Sequence, residues 1–144
     1  MQYQQGRTGR IFIAKMDHQD DLLTELKKLA EAEEIQTAVF YLIGALEKAQ
    51  LVSGPKECVI PPEQLWRDFQ DGREIVGIGT VFRNEQKEVL IHLHGAMGKG
   101  DLVQMGCLRS NTKVYLVAEV IMLEILDTTA LKSPVVGFNL LNFA

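Results

Sequence analysis

One helical pattern stands among many extended ones, and this imbalance limits the folds open to the chain. Residues 17–34 carry leucines at helical spacing, with acidic residues crowded at the start, which predicts an amphipathic helix. Its apolar positions are Leu22, Leu23, Leu26, Leu29 and Ala30. We expect Asp17 to cap the first turn, so that His18 lies there as a solvated surface residue without a further role.

Most of the remaining sequence is predicted to form strands, because short β-branched and aromatic segments alternate with glycine, proline or polar turns. The predicted strands are residues 10–16, 35–44, 45–53, 73–82, 88–98, 114–126 and an edge strand within 132–144. Residues 58–60 could add a short strand. Residues 62–69 are expected to form a connection or one helical turn, with Trp66 and Phe69 covering the core or contacting a second subunit.

One helix among many strands joined by short turns predicts an α+β fold, in which a largely antiparallel sheet packs with that helix. The chain has 144 residues, enough to bury a sizeable core, and we expect a single domain spanning residues 1–144.

Composition limits the partners and the compartment. The net charge of −4 provides no global basic field to recruit nucleic acid, so any such binding would need a local patch or a partner protein. The two cysteines, Cys58 and Cys107, form no disulfide framework, and we see neither a secretion signal nor an apolar run that could span a membrane. A reducing cytoplasm is therefore the expected location, with Cys107 a free thiol.

Two of the three histidines lie on the predicted strand 88–98, with one residue between them. Side chains alternate along a strand, so His92 and His94 project from the same face, roughly 6.6 Å apart by strand rise. Two imidazoles on one face can reach one metal ion. The alternative is that both histidines make ordinary hydrogen bonds in the core.

A cysteine follows the histidines at the length of a short hairpin. After a turn at residues 98–101, the segment Met105-Gly106-Cys107-Leu108 could return antiparallel and bring Cys107 to the histidines. Imidazole and thiolate suit zinc or another divalent transition metal, and three protein ligands leave a fourth position open, as in catalytic zinc sites. The alternative is that Cys107 is a small buried hydrophobe.

Two carboxylates are embedded in apolar strand patterns, where an unpaired charge would be costly to bury. Glu119 and Glu74 could serve as a further metal ligand, accept the free N–H of a ligand histidine or transfer a proton. Arg73 and Arg109 are candidate partners for them or for a substrate carboxylate. Either glutamate could instead face solvent or a neighbouring subunit, and we expect Glu124 to do so.

Taken together, five segments resemble the plants-and-prokaryotes conserved (PPC) domain over nearly the whole chain. They are Ile43-Gly44-Ala45-Leu46, residues 72–80, His92-Leu93-His94, Met105-Gly106-Cys107-Leu108 and Ala118-Glu119-Val120-Ile121. The resemblance implies an α+β fold shared with acetolactate decarboxylase, and assembly as a homotrimer. It also implies, as in prokaryotic members, a metal held by the His-x-His pair and a third histidine in a Gly-Gly-His-Leu segment. In this chain Cys107 occupies the position of that third ligand.

In plant relatives the domain follows an AT-hook, an Arg-Gly-Arg-Pro element inserted in the minor groove. Residues 6–10, Gly-Arg-Thr-Gly-Arg, lack its proline and flanking basic cluster, so a DNA role rests on the family association alone. Three hypotheses remain open: a homotrimeric metal-binding module with a regulatory or DNA-associated role, a metal-dependent enzyme acting on a small oxygen-bearing substrate, and a structural metal site that stabilises the hairpin.

Overall fold

A computed structural model of the chain describes residues 1–143, which form a mostly antiparallel β-sheet with one short helix. The elements in chain order are β1 (Arg7–Asp17), α1 (Leu22–Ala32), β2 (Thr37–Pro55), β3 (Gln64–Phe69), β4 (Arg73–Arg83), β5 (Val89–Lys99), β6 (Leu102–Leu126), β7 (Ala130–Val135) and β8 (Phe138–Phe143). The expected antiparallel architecture with a single main helix is confirmed.

Six strands form the main sheet in the order β1-β6-β5-β4-β2-β3, and β6 also pairs with β2. That additional pairing closes β2, β4, β5 and β6 into a ring, so these four strands have an inner and an outer face. The inner face and α1 bury the core, which includes Leu22, Phe40, Leu93 and Met122. The tail forms a separate two-stranded sheet, β7–β8, and not the edge strand expected.

The long strand β2 joins two segments that the sequence pattern separated at Gly44. Gly44 has a φ of +142°, and a Cβ there would lie 2.4 Å from the carbonyl oxygen of Val117. A residue with a side chain would meet both backbone strain and a clash at this position. Glycine therefore lets the chain bend inside one continuous strand and does not end it.

The helix begins later than the sequence predicted. Asp17 is the last residue of β1, and Asp21 is the N-cap, its Oδ1 accepting the N–H of Thr24 at 3.1 Å. His18 therefore lies in the β1–α1 turn. It is exposed, as expected, but has a structural role, because its Nδ1 accepts the N–H of Leu116 at 3.2 Å and its ring contacts Tyr115 edge-on.

Two predictions in the middle of the chain are wrong. Residues 58–60 form bends and not a strand, whereas residues 64–69 form the edge strand β3, paired antiparallel with β2, and not a helical turn. Alternation along β3 buries Phe69 and leaves Trp66 46% exposed, so Phe69 alone of the pair belongs to the core.

Candidate metal centre

The two histidines lie on the outer face of β5, which runs antiparallel between β4 and β6. Leu93, between them, points inward and is fully buried, whereas His92 and His94 are exposed. Their Nε2 atoms lie 3.1 Å apart, and the rings meet nearly at right angles. Strand alternation therefore places both imidazoles on one face, and their rotamers bring the two nitrogens toward a common point.

Cys107 reaches the histidines through the β5–β6 pairing. It lies directly opposite His94 in that register, and opposite Val52 of β2 on its other side. Directly opposed residues share a face of the sheet, so the thiol stands on the same face as the imidazoles. The candidate ligand atoms of His92, His94 and Cys107 all lie within 4.8 Å of one another.

The donor set and its spacing fit a transition-metal ion. Tetrahedral zinc sets two imidazole nitrogens about 3.3 Å apart, and a nitrogen and a sulfur about 3.6 Å apart. The observed spacing of the two imidazole nitrogens is close to the tetrahedral value. A shift of roughly an ångström in the sulfur position would bring the nitrogen–sulfur distances to theirs. Two imidazoles and a thiolate are ligands that zinc and similar borderline-soft ions prefer.

The surroundings of the cluster act differently on the His92 imidazole and the Cys107 thiol. Partial desolvation of the ring against the sheet, together with the positive charges of His94, Lys132 and Arg109, lowers the pKa of His92 below its ordinary 6.5, so this imidazole is neutral at pH 7 and able to bind an ion. Burial raises the pKa of the Cys107 thiol above 9.0, opposed by the nearby positive charge of Arg109. Without an ion the sulfur therefore keeps its proton.

His94 ends a row of cross-strand neighbours on the outer face of the ring. Starting from β5, the row passes to Ile78, then to Tyr41, Ile121 and Ile13. We call these last four residues the outer apolar row, and all four are exposed. The candidate metal cluster thus lies at one end of an uncovered apolar surface.

The structure does not bring the two candidate glutamates to the cluster. Both are exposed, so neither is the buried unpaired charge that the sequence pattern suggested. Glu74 lies four residues along β4 from Ile78, the partner of His94, or roughly 13 Å by strand rise. Glu119 lines an apolar cavity of about 480 Å³ together with Ile13, Tyr41 and Ile121 of the outer apolar row. Cross-strand pairing sets Glu119 roughly three strand spacings from Ala96 of β5.

The two candidate arginines differ in their surroundings. Arg73 donates to Asp71 at 2.8 Å and to Gln104 at 3.0 Å, and its guanidinium stacks on the ring of Phe69, so its side chain is already engaged. Arg109 is exposed and close enough to act electrostatically on His92 and Cys107. Of the candidate catalytic residues, Arg109 is the one whose charge acts on the cluster.

Glu124, expected to face solvent, is instead buried. Arg10 donates to it from Nε and Nη2, each at 2.9 Å, and from its backbone N–H at 3.1 Å. These bonds hold the pKa of the Glu124 carboxyl below its ordinary 4.5. Strand alternation could have indicated this burial, because Glu124 stands two residues after the core residue Met122 and so shares its face of the strand.

Lys132 was also missed. It lies on β7, and its Nζ is 5.5 Å from the centroid of the Phe82 ring. Burial lowers the pKa of its ammonium group, and its charge reaches His92. Nothing in the sequence around Lys132 indicates this position, because the tail is placed by packing against β4.

Comparison with known proteins is consistent with this fold. The sequence profile of the Plants and Prokaryotes Conserved (PCC) domain, also abbreviated PPC, matches residues 3–126. No curated protein matches the chain. In the part of the chain described, no helix is long and apolar enough to cross a membrane.

Three solved structures illustrate the similarity. A plant- and prokaryote-conserved (PPC) protein from Pyrococcus horikoshii is 23% identical, with a TM-score of 0.85 over 100% of this chain and 99% of the other. A metal-containing protein from Archaeoglobus fulgidus is 21% identical, with a TM-score of 0.85 and the same coverage. A protein from Ralstonia eutropha, described as a candidate DNA-binding protein, is 20% identical, with a TM-score of 0.74 over 92% of this chain and 90% of the other.

Proposed function

Because this chain belongs to the Plants and Prokaryotes Conserved domain family, we propose that it is a metal-binding protein whose ion is held by His92, His94 and Cys107. The observation that carries the proposal is the convergence of three ligand atoms within 4.8 Å, with the two imidazole nitrogens 3.1 Å apart. These residues come from two strands, so the fold and not a local sequence motif assembles the set. The structure from Archaeoglobus fulgidus, described as a metal-containing protein, supports metal binding by a chain of this fold.

Zinc is the ion that the donor set favours. Two neutral imidazoles and one thiolate would leave a net charge of about +1 on bound Zn²⁺, and three protein ligands would leave a fourth position for water or an anion. Harder ions such as Mg²⁺ prefer oxygen donors, and the described cluster offers none. The two histidines are exposed, so the fourth position would face outward.

Metal content of the purified protein tests the proposal. When the expression medium supplies zinc, iron and nickel, we expect the purified wild type to carry about one equivalent of zinc. His92→Ala and Cys107→Ala should each carry less than about a tenth of that amount. The matched controls are His18→Ala and Cys58→Ala, which remove the same side chains outside the cluster and should retain the metal. A wild type without stoichiometric metal would overturn the proposal.

We further propose that the protein assembles as a homotrimer through the outer apolar row. Soluble proteins seldom leave contiguous apolar surface uncovered unless it binds a partner, and Ile13, Tyr41, Ile78 and Ile121 form such a surface. The row ends at His94, so this assembly would place the metal centre beside the contact between subunits.

A regulatory or DNA-associated role is the biological function that we propose for the module. The candidate DNA-binding protein from Ralstonia eutropha supports it at the level of fold. The net charge of −4 and the absence of an Arg-Gly-Arg-Pro element limit direct contact with DNA, so recruitment through a DNA-bound protein is part of the proposal.

A metal-dependent enzyme acting on a small oxygen-bearing substrate is the second candidate, favoured by the exposed histidines and by the Arg109 charge close to them. A bound ion would supply Lewis acidity toward a carbonyl or hydroxyl, and Arg109 would bind a substrate carboxylate. Glu74 and Glu119 contribute nothing at the distances found. Release of CO₂ from small 3-oxo acids, whose polarised carbonyl takes up the electron pair left by CO₂, would favour this candidate over a binding module if the zinc-loaded protein catalyses it and His92→Ala does not.

A further inference from the structure

We propose that Arg109 and Lys132 form an anion-binding subsite beside His92, which takes a small oxyanion of the carboxylate or phosphate class. The proposal rests on the metal centre proposed above, because the anion would occupy the open position next to the ion. Lys132 lies beyond residues 3–126, which the family profile matches, so the subsite depends on the tail of this chain.

Arg109 reaches His92 from the β6 side. His94 is paired with Cys107, and continuing that antiparallel register by two residues on each strand sets Arg109 opposite His92. The β5–β6 ladder ends at the His94–Cys107 pair, and β6 continues past it paired with β2 through Leu108 and Ser110. Among the described residues, the Arg109 guanidinium has no hydrogen bond or ion pair.

Lys132 approaches from the β4 side. Phe82 lies opposite Leu90, two residues before His92 and on the same face of the sheet, and the Lys132 ammonium group stands 5.5 Å above the Phe82 ring. It is half-buried and forms no ion pair with any carboxylate of residues 1–143. Ser133, the residue after Lys132 on β7, donates its hydroxyl to the carboxylate of Glu85. Its side chain points to the face of β7 opposite that of Lys132.

Charge balance makes an anion the natural occupant. With zinc and the Cys107 thiolate, the centre would carry about +1, and Arg109 and Lys132 raise the local charge to about +3 without a carboxylate among the ligands. The protein as a whole has a net charge of −4, so this cluster is a positively charged region on a negatively charged protein. Partial burial of Lys132 strengthens its attraction for an anion, because solvent screens a half-buried charge less than an exposed one.

The two cations suit a compact ligand with several oxygens. A guanidinium presents paired N–H donors that match a carboxylate or a phosphate, and an ammonium binds a further oxygen as a point charge. Arg109 lies on β6, next to β5, and Lys132 lies on β7, which packs beside β4, so the two charges approach His92 from opposite sides of β5. A large polyanion is not required by this geometry.

Calorimetric titration of the zinc-loaded full chain tests the subsite. Inorganic phosphate and acetate are titrated separately at constant ionic strength, with zinc content measured for every preparation. Wild type should bind at least one of the two anions, and Lys132→Gln and Arg109→Gln should each weaken that binding by about tenfold. The matched control is Lys27→Gln, which removes one positive charge from the exposed face of α1 and should leave the affinity within about twofold.

The outcomes separate the two proposals. Binding of phosphate, of acetate or of both, reduced by the two variants and not by the control, supports the subsite and identifies its chemistry. Full zinc content with no anion binding, or with variants that bind as the wild type does, overturns the subsite and leaves the metal centre standing. A wild type that takes up no zinc overturns the metal centre, and the subsite with it.

Discussion

Cys107 lies directly opposite His94 across the β5–β6 pair, although thirteen positions separate them in sequence, from 94 to 107. The turn between the strands fixes this register, and a shift by one residue would move the thiol to the inner face. The position of the third candidate ligand is therefore a property of the hairpin.

Zinc binding to the wild type should release about one proton per ion at pH 7.5. The pKa of the Cys107 thiol lies above 9.0, so the thiol is protonated before the ion binds and must lose that proton, whereas the lowered pKa of His92 leaves its imidazole neutral already. Calorimetry in buffers of different ionisation enthalpy measures the number of protons released. Per zinc bound, Cys107→Ala should release about one proton fewer than the wild type, and Cys58→Ala the wild-type number; equal release from all three proteins would contradict the role of Cys107.

Self-association should depend on the outer apolar row. Ile121→Lys places a charge at a position 49% exposed in the single chain, and we expect it to shift the sedimentation velocity profile from trimer to monomer. Val59→Lys is the matched control, because Val59 is 52% exposed but lies in the loop before β3. A wild type that sediments as a monomer, or an Ile121→Lys protein that remains a trimer, would contradict this assembly.

The Arg10–Glu124 pair should make stability depend on pH. The folded pKa of Glu124 lies below its ordinary 4.5, so the ionised carboxylate contributes its full stability above pH 4.5 and loses that contribution as pH falls through the folded pKa. We expect Glu124→Gln to lower the free energy of unfolding at pH 7 by about 1–2 kcal/mol, since half-exposed Arg10 is partly screened.

Urea unfolding of both proteins at several pH values between 7 and 3 measures this effect. The difference between wild type and Glu124→Gln should shrink as the pH falls below 4.5. A Glu31→Gln variant, which removes an exposed helix carboxylate 4.0 Å from Lys27, should differ little from wild type throughout. A difference for Glu124→Gln that is constant over the whole range would show that its charge does not stabilise the fold.

Direct DNA binding should be weak and limited to low ionic strength. With a net charge of −4, few phosphates can be neutralised, and affinity should fall steeply as salt is added. A mobility-shift titration of duplex DNA against salt, with heparin as the polyanion competitor, measures this dependence. If no shift occurs even at the lowest salt, direct contact is excluded, and recruitment through a DNA-bound protein is the remaining form of the proposal.

Sequence pattern predicted most of the sheet because inward and outward residues alternate along its strands. The histidine strand, its pairing with β4 and the antiparallel return at Cys107 followed from that period and from glycine-containing turns. β3 was missed because residues 62–69 begin with a proline and mix charged with aromatic residues, so they show no clear period. Pairing with β2 makes this segment a strand, and that is a tertiary contact.

The other wrong predictions also concern positions that tertiary contacts determine. Asp17, Asp20 and Asp21 can all cap a helix, and the choice depends on where β1 leaves the sheet. The burial of Glu124 required its partner Arg10, more than a hundred residues earlier in the chain. Lys132 reaches the surroundings of His92 only because β7 lies beside the end of β4, where the backbone of Lys132 forms an isolated β-bridge with Asn84. Local pattern carries no information on such long-range placements.

X-ray absorption at the zinc edge tests the central claim most directly, because it identifies the atoms bound to the ion. For the zinc-loaded wild type we expect two imidazole nitrogens at about 2.0–2.1 Å and one sulfur at about 2.3 Å, and for Cys107→Ala, loaded with excess zinc, no sulfur. A first shell in the wild type made of nitrogen and oxygen alone would contradict the assignment of His92, His94 and Cys107 as the ligands.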